Sequence, residues 1–179
     1  MDQCKLIFAG PVGVGKTTAV AALCHGRLLT TEEDASDVTR LHKDTTTVAF
    51  DYGVIDLDGG DRLHVYGLPG QKRFDFMWEI LAKDSLGLIL LLDNSRSSPC
   101  ADLKFYVDAF RGFIEQTGLV VGVTRTDSHP LPVLDTYRAS LAALGFKSCP
   151  VFEVDPRMRE NVVMMVQALL YQLAPELAG

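Results

Sequence analysis

Gly10-Pro11-Val12-Gly13-Val14-Gly15-Lys16-Thr17 stands between an apolar run at residues 5–9 and a helix-forming run at residues 17–25. It satisfies G-x-x-x-x-G-K-[ST] at every fixed position and in the strand-to-helix setting that the motif needs. The glycines let the backbone turn so that several N–H groups converge on phosphate oxygens, and the start of the helix adds partial positive charge. Lys16 is placed to reach β/γ oxygens and the Thr17 hydroxyl to ligate Mg²⁺. The stretch therefore predicts a nucleoside triphosphate site on an α/β fold.

Apolar runs alternate with amphipathic ones on both sides of this loop. Residues 47–57 and 62–66 read as two strands joined by the turn Asp58-Gly59-Gly60-Asp61. Residues 86–93, 119–124 and 151–154 read as further strands, the first as apolar as a strand covered on both faces. Residues 102–117, 133–144 and 160–173 carry helical spacing. Residues 28–46, 67–77 and 94–100 read as loops, and no repeat or linker divides residues 1–179, so one αβ domain is expected.

Composition narrows the function. The 179 residues are 47% hydrophobic and 22% charged, which excludes a disordered or fibrous chain. A net charge of -6 argues against nucleic-acid binding by counterion release and against a polybasic membrane anchor. Asp2 and the ending Glu-Leu-Ala-Gly offer no lipidation signal, and no apolar run is long enough to span a bilayer. A cytoplasmic protein is expected. Cys4, Cys24, Cys100 and Cys149 are far apart in sequence, which favours buried reduced thiols over zinc or disulfides.

Four more segments join the loop: Thr45-Thr46-Thr47-Val48-Ala49-Phe50, Gly67-Leu68-Pro69-Gly70-Gln71, Thr124-Arg125-Thr126-Asp127 and Glu153-Val154-Asp155-Pro156-Arg157. In order and spacing the chain resembles the Ras-like small GTPases, most of all the bacterial MglA-like branch. It is also similar to bacterial GTPases related to the signal-recognition-particle receptor β subunit. The resemblance implies a three-layer sandwich with a mostly parallel six-stranded sheet, one antiparallel hairpin and five helices. It assigns nucleotide contacts to Gly10, Val12, Gly13, Val14, Gly15, Lys16, Thr17, Thr18, Gly70, Thr124, Arg125, Asp127 and Asp155. Thr47, with Thr46 as the alternative register, takes the threonine role that closes on Mg²⁺ and the γ-phosphate, so Thr17 and Thr47 form the metal set. Gln71 orients the attacking water, and with Lys16 and Thr47 makes up the catalytic set. Asp127 accepts from guanine N1–H and the exocyclic amine, while Arg125 lies along the base plane.

Three positions depart from the family pattern. Gly67 stands where an aspartate usually holds a magnesium water, which implies weaker Mg²⁺ affinity. Pro156 stands where a backbone N–H usually meets guanine O6, and proline has no N–H. Val12 replaces a glycine of the loop. Asp93 ends an apolar strand and reads as a turn cap before it reads as a base. Phe74, Phe76 and Trp78 read equally as a partner-binding patch or as core.

The function implied is a GTP/GDP switch with slow, partner-stimulated GTP hydrolysis. The partners implied are a roadblock-fold regulator on residues 45–51 and 71–78 and an unidentified effector, with any membrane recruitment through a partner. The rival readings are a nucleotide-binding scaffold with little turnover and an ATP-using P-loop ATPase or kinase.

Overall fold

The computed structural model describes residues 4–25, 29–30, 51–56, 61–71 and 75–173. At its centre is β5 (Leu88–Asp93), every residue of which is buried. Such a strand needs helices on both faces, because its side chains alternate and all of them are apolar until Asp93. On one face β5 and β1 (Cys4–Ala9) turn Leu6, Phe8, Ile89 and Leu91 toward α1 (Lys16–Leu23) and α6 (Arg159–Leu173). On the other face Ile7, Leu88, Leu90 and Leu92 share a core with Trp78, Leu103, Tyr106, Tyr137 and Leu141. Those residues come from α2 (Asp75–Ala82), α3 (Pro99–Ala109) and α5 (Leu134–Ala143).

The remaining strands are β2 (Leu29–Thr30), β3 (Asp51–Asp56), β4 (Arg62–Gly67), β6 (Leu119–Thr124) and β7 (Val151–Glu153). The sheet order is β2-β3-β4-β1-β5-β6-β7. β4, β1, β5, β6 and β7 run parallel, whereas β3 is antiparallel to both β4 and β2. This is the Ras-like P-loop arrangement, with the carboxyl ends of β1, β4, β5 and β6 along one edge where ligands of open α/β sheets bind.

Several boundaries differ from the sequence expectation. Six strands were expected, and a two-residue edge pairing at Leu29–Thr30 adds a seventh within a stretch read as loop. Two residues are too few to show an alternation. The sequence also predicts a loop over 67–77, yet α2 begins at Asp75, and α3 begins at Pro99 inside the expected 94–100 loop. α2 has only eight residues, fewer than the roughly 10–12 over which helical spacing is read from a sequence. In place of one helix over 102–117, α3 ends at Ala109 and a single turn, α4 (Arg111–Ile114), follows Phe110. The described residues therefore contain six helical segments where five were expected. Cys24 is buried, while Cys4, Cys100 and Cys149 are half-buried free thiols. Among the described residues no helix is long and apolar enough to cross a membrane.

Candidate nucleotide-binding site

The loop from Gly10 to Gly15 leaves β1 and enters α1 through three left-handed glycines, Gly10 (φ 143°), Gly13 (φ 77°) and Gly15 (φ 111°). Two of them are also required by space. A Cβ on Gly10 would lie 2.2 Å from the Leu91 carbonyl oxygen, and one on Gly15 would lie 2.6 Å from Pro156 Cγ. Val14 is buried and anchors the loop, while Val12 is 61% exposed and projects away from it. The side chain of Lys16 returns along the loop and donates to the carbonyls of Gly10 and Pro11, each at 2.8 Å. Burial lowers its pKa to about 8, and the Asp51 carboxylate works in the opposite direction. Phosphate oxygens beside the ammonium would offset that desolvation.

Thr17, the first residue after the lysine, donates its hydroxyl to Asp51 Oδ2 at 2.7 Å. Asp51 opens β3 directly opposite Gly67, the last residue of β4. A Cβ on Gly67 would lie 2.9 Å from Asp51 Oδ2. Gly67 therefore leaves room for an acid that arrives from the neighbouring strand. The sequence reading did not single out Asp51. Its signal was the hairpin: counting back from the turn at 58–61 brings Asp51 close to Gly67.

Residues after β4 press on the same loop. A Cβ on Gly70 would lie 2.6 Å from Val12 N and 2.8 Å from the Gly10 carbonyl oxygen. Behind this contact Leu68 N–H donates to the Phe8 carbonyl at 2.8 Å, Trp78 Nε1 to the Pro69 carbonyl at 3.2 Å and Tyr106 OH to the Gly70 carbonyl at 3.3 Å. Gln71 is exposed next to this pinned turn. Thr46, Thr47 and Phe74 lie outside the described residues, as does the side chain of Phe76. Trp78 is core: it is 3% exposed and stacks on Phe110 with ring centroids 5.2 Å apart. It cannot belong to the partner surface proposed over 71–78, because its ring is enclosed by Phe105, Tyr106 and Phe110.

From the loop a cleft of about 630 Å³ runs past Gly13, Gly15 and Thr18 to Thr124, Asp127 and Asp155. Arg125, in a left-handed conformation (φ 61°), sends its guanidinium to the Gly13 carbonyl at 3.0 Å and to the carboxylate of Asp93. Asp93 also accepts from the backbone N–H (2.9 Å) and hydroxyl (2.6 Å) of Ser95, so it works as a turn cap. Arg125 thus ties the phosphate loop to the end of β5. Thr124 is buried, and its hydroxyl donates to the Leu92 carbonyl at 3.2 Å. Asp127 is exposed at the cleft and, among the described residues, accepts a single 3.4 Å contact from Ser128 Oγ, which leaves its carboxylate available to a ligand.

The opposite lip follows β7. Pro156 packs its ring on Gly15, so the proline and the glycine fit each other. Asp155 N–H donates to Asn161 Oδ1 at 2.9 Å, and Arg157 N–H donates to Asp155 Oδ1 at 2.9 Å. The Arg157 guanidinium grips the same carboxylate through Nε and Nη2. This hydrogen bonding holds the Asp155 carboxyl below its ordinary pKa and raises that of Arg157. The family resemblance names Asp155 as a nucleotide contact, but neither the fork, a matter of side-chain geometry, nor the Pro156–Gly15 contact, between segments that meet only in space, is legible in the sequence.

Fold and cleft together define a P-loop nucleotide-binding protein of Ras-like architecture. The chain belongs to the family described as conserved hypothetical ATP binding protein, whose match runs over residues 8–128. It is 28% identical over 109 residues to the Ras-related protein Rab-5B of Plasmodium falciparum, covering 60% of this chain and 48% of that protein. It is 30% identical over 95 residues to the uncharacterized protein MJ1339 of Methanocaldococcus jannaschii, covering 53% and 54%. With the Ras-related protein Rab-32 of Sus scrofa it shares 28% over 97 residues, covering 53% and 38%. The chain thus spans about half or less of the length of these relatives.

Proposed function

We propose that this chain binds GTP and GDP and acts as a molecular switch of the MglA-like branch, with slow GTP hydrolysis that a partner accelerates. The observation that carries the proposal is Asp127, an exposed carboxylate at the far end of a cleft that begins at the phosphate loop. A carboxylate there accepts from guanine N1–H and the 2-amino group, and adenine offers neither donor at those positions. The Ras-related names of two relatives point the same way.

Mg²⁺ fits the phosphate end, where a hydroxyl and a carboxylate oxygen sit 2.7 Å apart on Thr17 and Asp51. Thr17 and Thr47 would hold the ion, with Asp51 holding a water of its shell in place of the acid that Gly67 lacks. When bound, the ion neutralises charge on the β and γ oxygens. Lys16 turns from the Gly10 and Pro11 carbonyls to the phosphates, and Gly70 offers its N–H to the γ-phosphate. Gln71 holds the attacking water in line. Because Thr47 and Gly70 meet the γ-phosphate only in the triphosphate state, the switch segments differ between the two nucleotides. A roadblock-fold regulator and an effector would bind that difference, in the cytoplasm or at a membrane to which a partner recruits the protein.

The family description favours ATP as a second reading. Identification of the nucleotide retained on the purified protein, followed by titration with GDP, ADP and XDP, separates the two. GDP retention and a preference for GDP over ADP of at least about 100-fold are expected; equal affinity for GDP and ADP would sink the proposal. Hydrolysis measured in a single turnover, with and without candidate activators, separates the switch from a scaffold that never turns over.

A further inference from the structure

The guanine base has a second edge to be read, and the loop after β7 lacks the usual means of reading it. Asp155 N–H is engaged by Asn161 and Arg157 N–H by Asp155, while Pro156 has no N–H at all. The main chain from 155 to 157 therefore has no uncommitted donor for O6. The guanidinium of Arg125 is spent on Asp93 and Gly13.

We propose that the Arg157 guanidinium replaces the missing amide and donates to guanine O6, with Asp155 as the residue that positions it. This rests on the guanine reading of Asp127 above. Arg157 lines the same cleft as Asp127 and is close enough to feel its charge. Its side chain is 78% exposed, and Asp155 occupies Nε and Nη2 only. A guanidinium carries five N–H donors in a rigid plane, so the Asp155 fork fixes the plane while both Nη1 donors have no partner among the described residues. An exposed pair of this kind contributes little stability by itself, which suits a role in placing a donor better than a role in holding the fold.

The pairing yields a two-sided code. Asp127 accepts from N1–H and the 2-amino group, and Arg157 donates to O6. Adenine presents a 6-amino donor to the guanidinium and no N1–H to the carboxylate, so both residues disfavour it.

The test is competition binding of GDP, 6-thio-GDP and ADP to the full chain, because sulfur at position 6 is a weak acceptor. Wild-type protein should favour GDP over 6-thio-GDP by about tenfold, the worth of one charge-assisted hydrogen bond. Arg157→Gln should lose about tenfold on GDP and little on 6-thio-GDP, bringing the ratio near one. Asp155→Asn should fall between the two, with thermal melts of all variants unchanged. A wild-type ratio retained in Arg157→Gln would overturn the proposal. So would a collapse of the ratio in Asn161→Asp, which keeps the Oδ1 acceptor and removes the Nδ2 donor. Either result in a protein that still prefers GDP to ADP removes Arg157 alone, whereas equal wild-type affinity for GDP and ADP removes the guanine reading itself.

Discussion

The Thr17 hydroxyl donates to the Asp51 carboxylate at 2.7 Å across the junction of α1 and β3, and Gly67 makes room for that acid. A strand-end carboxylate thus reaches the phosphate loop by register: Asp51 pairs with Gly67, so the acid stands one strand over from where the family pattern places it.

Asp51→Ala should raise the Mg²⁺ concentration needed to retain nucleotide by about tenfold, one charge-assisted contact. Gly67→Asp alone should worsen retention, because its Cβ would lie 2.9 Å from Asp51 Oδ2 and the two carboxylates would repel. The double variant should recover part of the loss. Nucleotide release on chelation measures all three, and wild-type release from Asp51→Ala would remove Asp51 from the metal shell.

Asp127→Ala should weaken GDP by about tenfold or more for each guanine donor left unmatched. Asp127→Asn should lose GDP and gain XDP, since an amide can donate to the xanthine 2-oxygen. Calorimetric titration decides, and unchanged GDP binding in Asp127→Asn would count against the base assignment.

Gln71 and Lys16 should separate hydrolysis from binding. Gln71→Leu is expected to bind GTP with wild-type affinity and hydrolyse it at least about tenfold more slowly when an activator is present. Lys16→Ala should lose nucleotide altogether. Wild-type hydrolysis by Gln71→Leu would mean that another group positions the water.

Trp78 tests the packing behind the 67–71 turn. Its ring is buried against Phe110, Tyr106 and Phe105, so Trp78→Ala should cost about 3–5 kcal/mol in urea unfolding. Trp78→Phe, which fills most of the space, should lose much less. A fully stable alanine variant would return the ring to the surface.

His64 supplies a pH dependence. Its Nδ1 meets the Tyr52 hydroxyl at 2.7 Å, and burial first, then the charges of Arg62 and Lys5, lower its pKa from 6.5. Below 6.5 the unfolded chain takes up the proton more readily than the folded one, so this site loses stability as pH falls. His64→Gln should flatten the fall in melting temperature as pH drops below 6.5. An unchanged slope would mean that other groups set the acid limb.

The phosphate loop, the succession of strands and helices along the chain, and the places of Asp93 at the end of β5 and Asp127 just after β6 were legible in the sequence. Each is written in consecutive residues: glycines at the turns, apolar runs of β-strand length, and a polar residue where a strand stops. The antiparallel hairpin was legible for the same reason. Helix α2 was not, since its eight residues are too short a run to tell helical spacing from a strand or a loop.

What the tertiary structure decided depends on which distant segments meet. Register sets Asp51 against Thr17 and Gly67, and strand order sets Pro156 on Gly15. The α2–α3 contact turns Trp78 from a candidate interface residue into core. Composition and spacing constrain neighbours along the chain, whereas these contacts follow from the closing of the sheet and its two helical layers, a property of the whole fold.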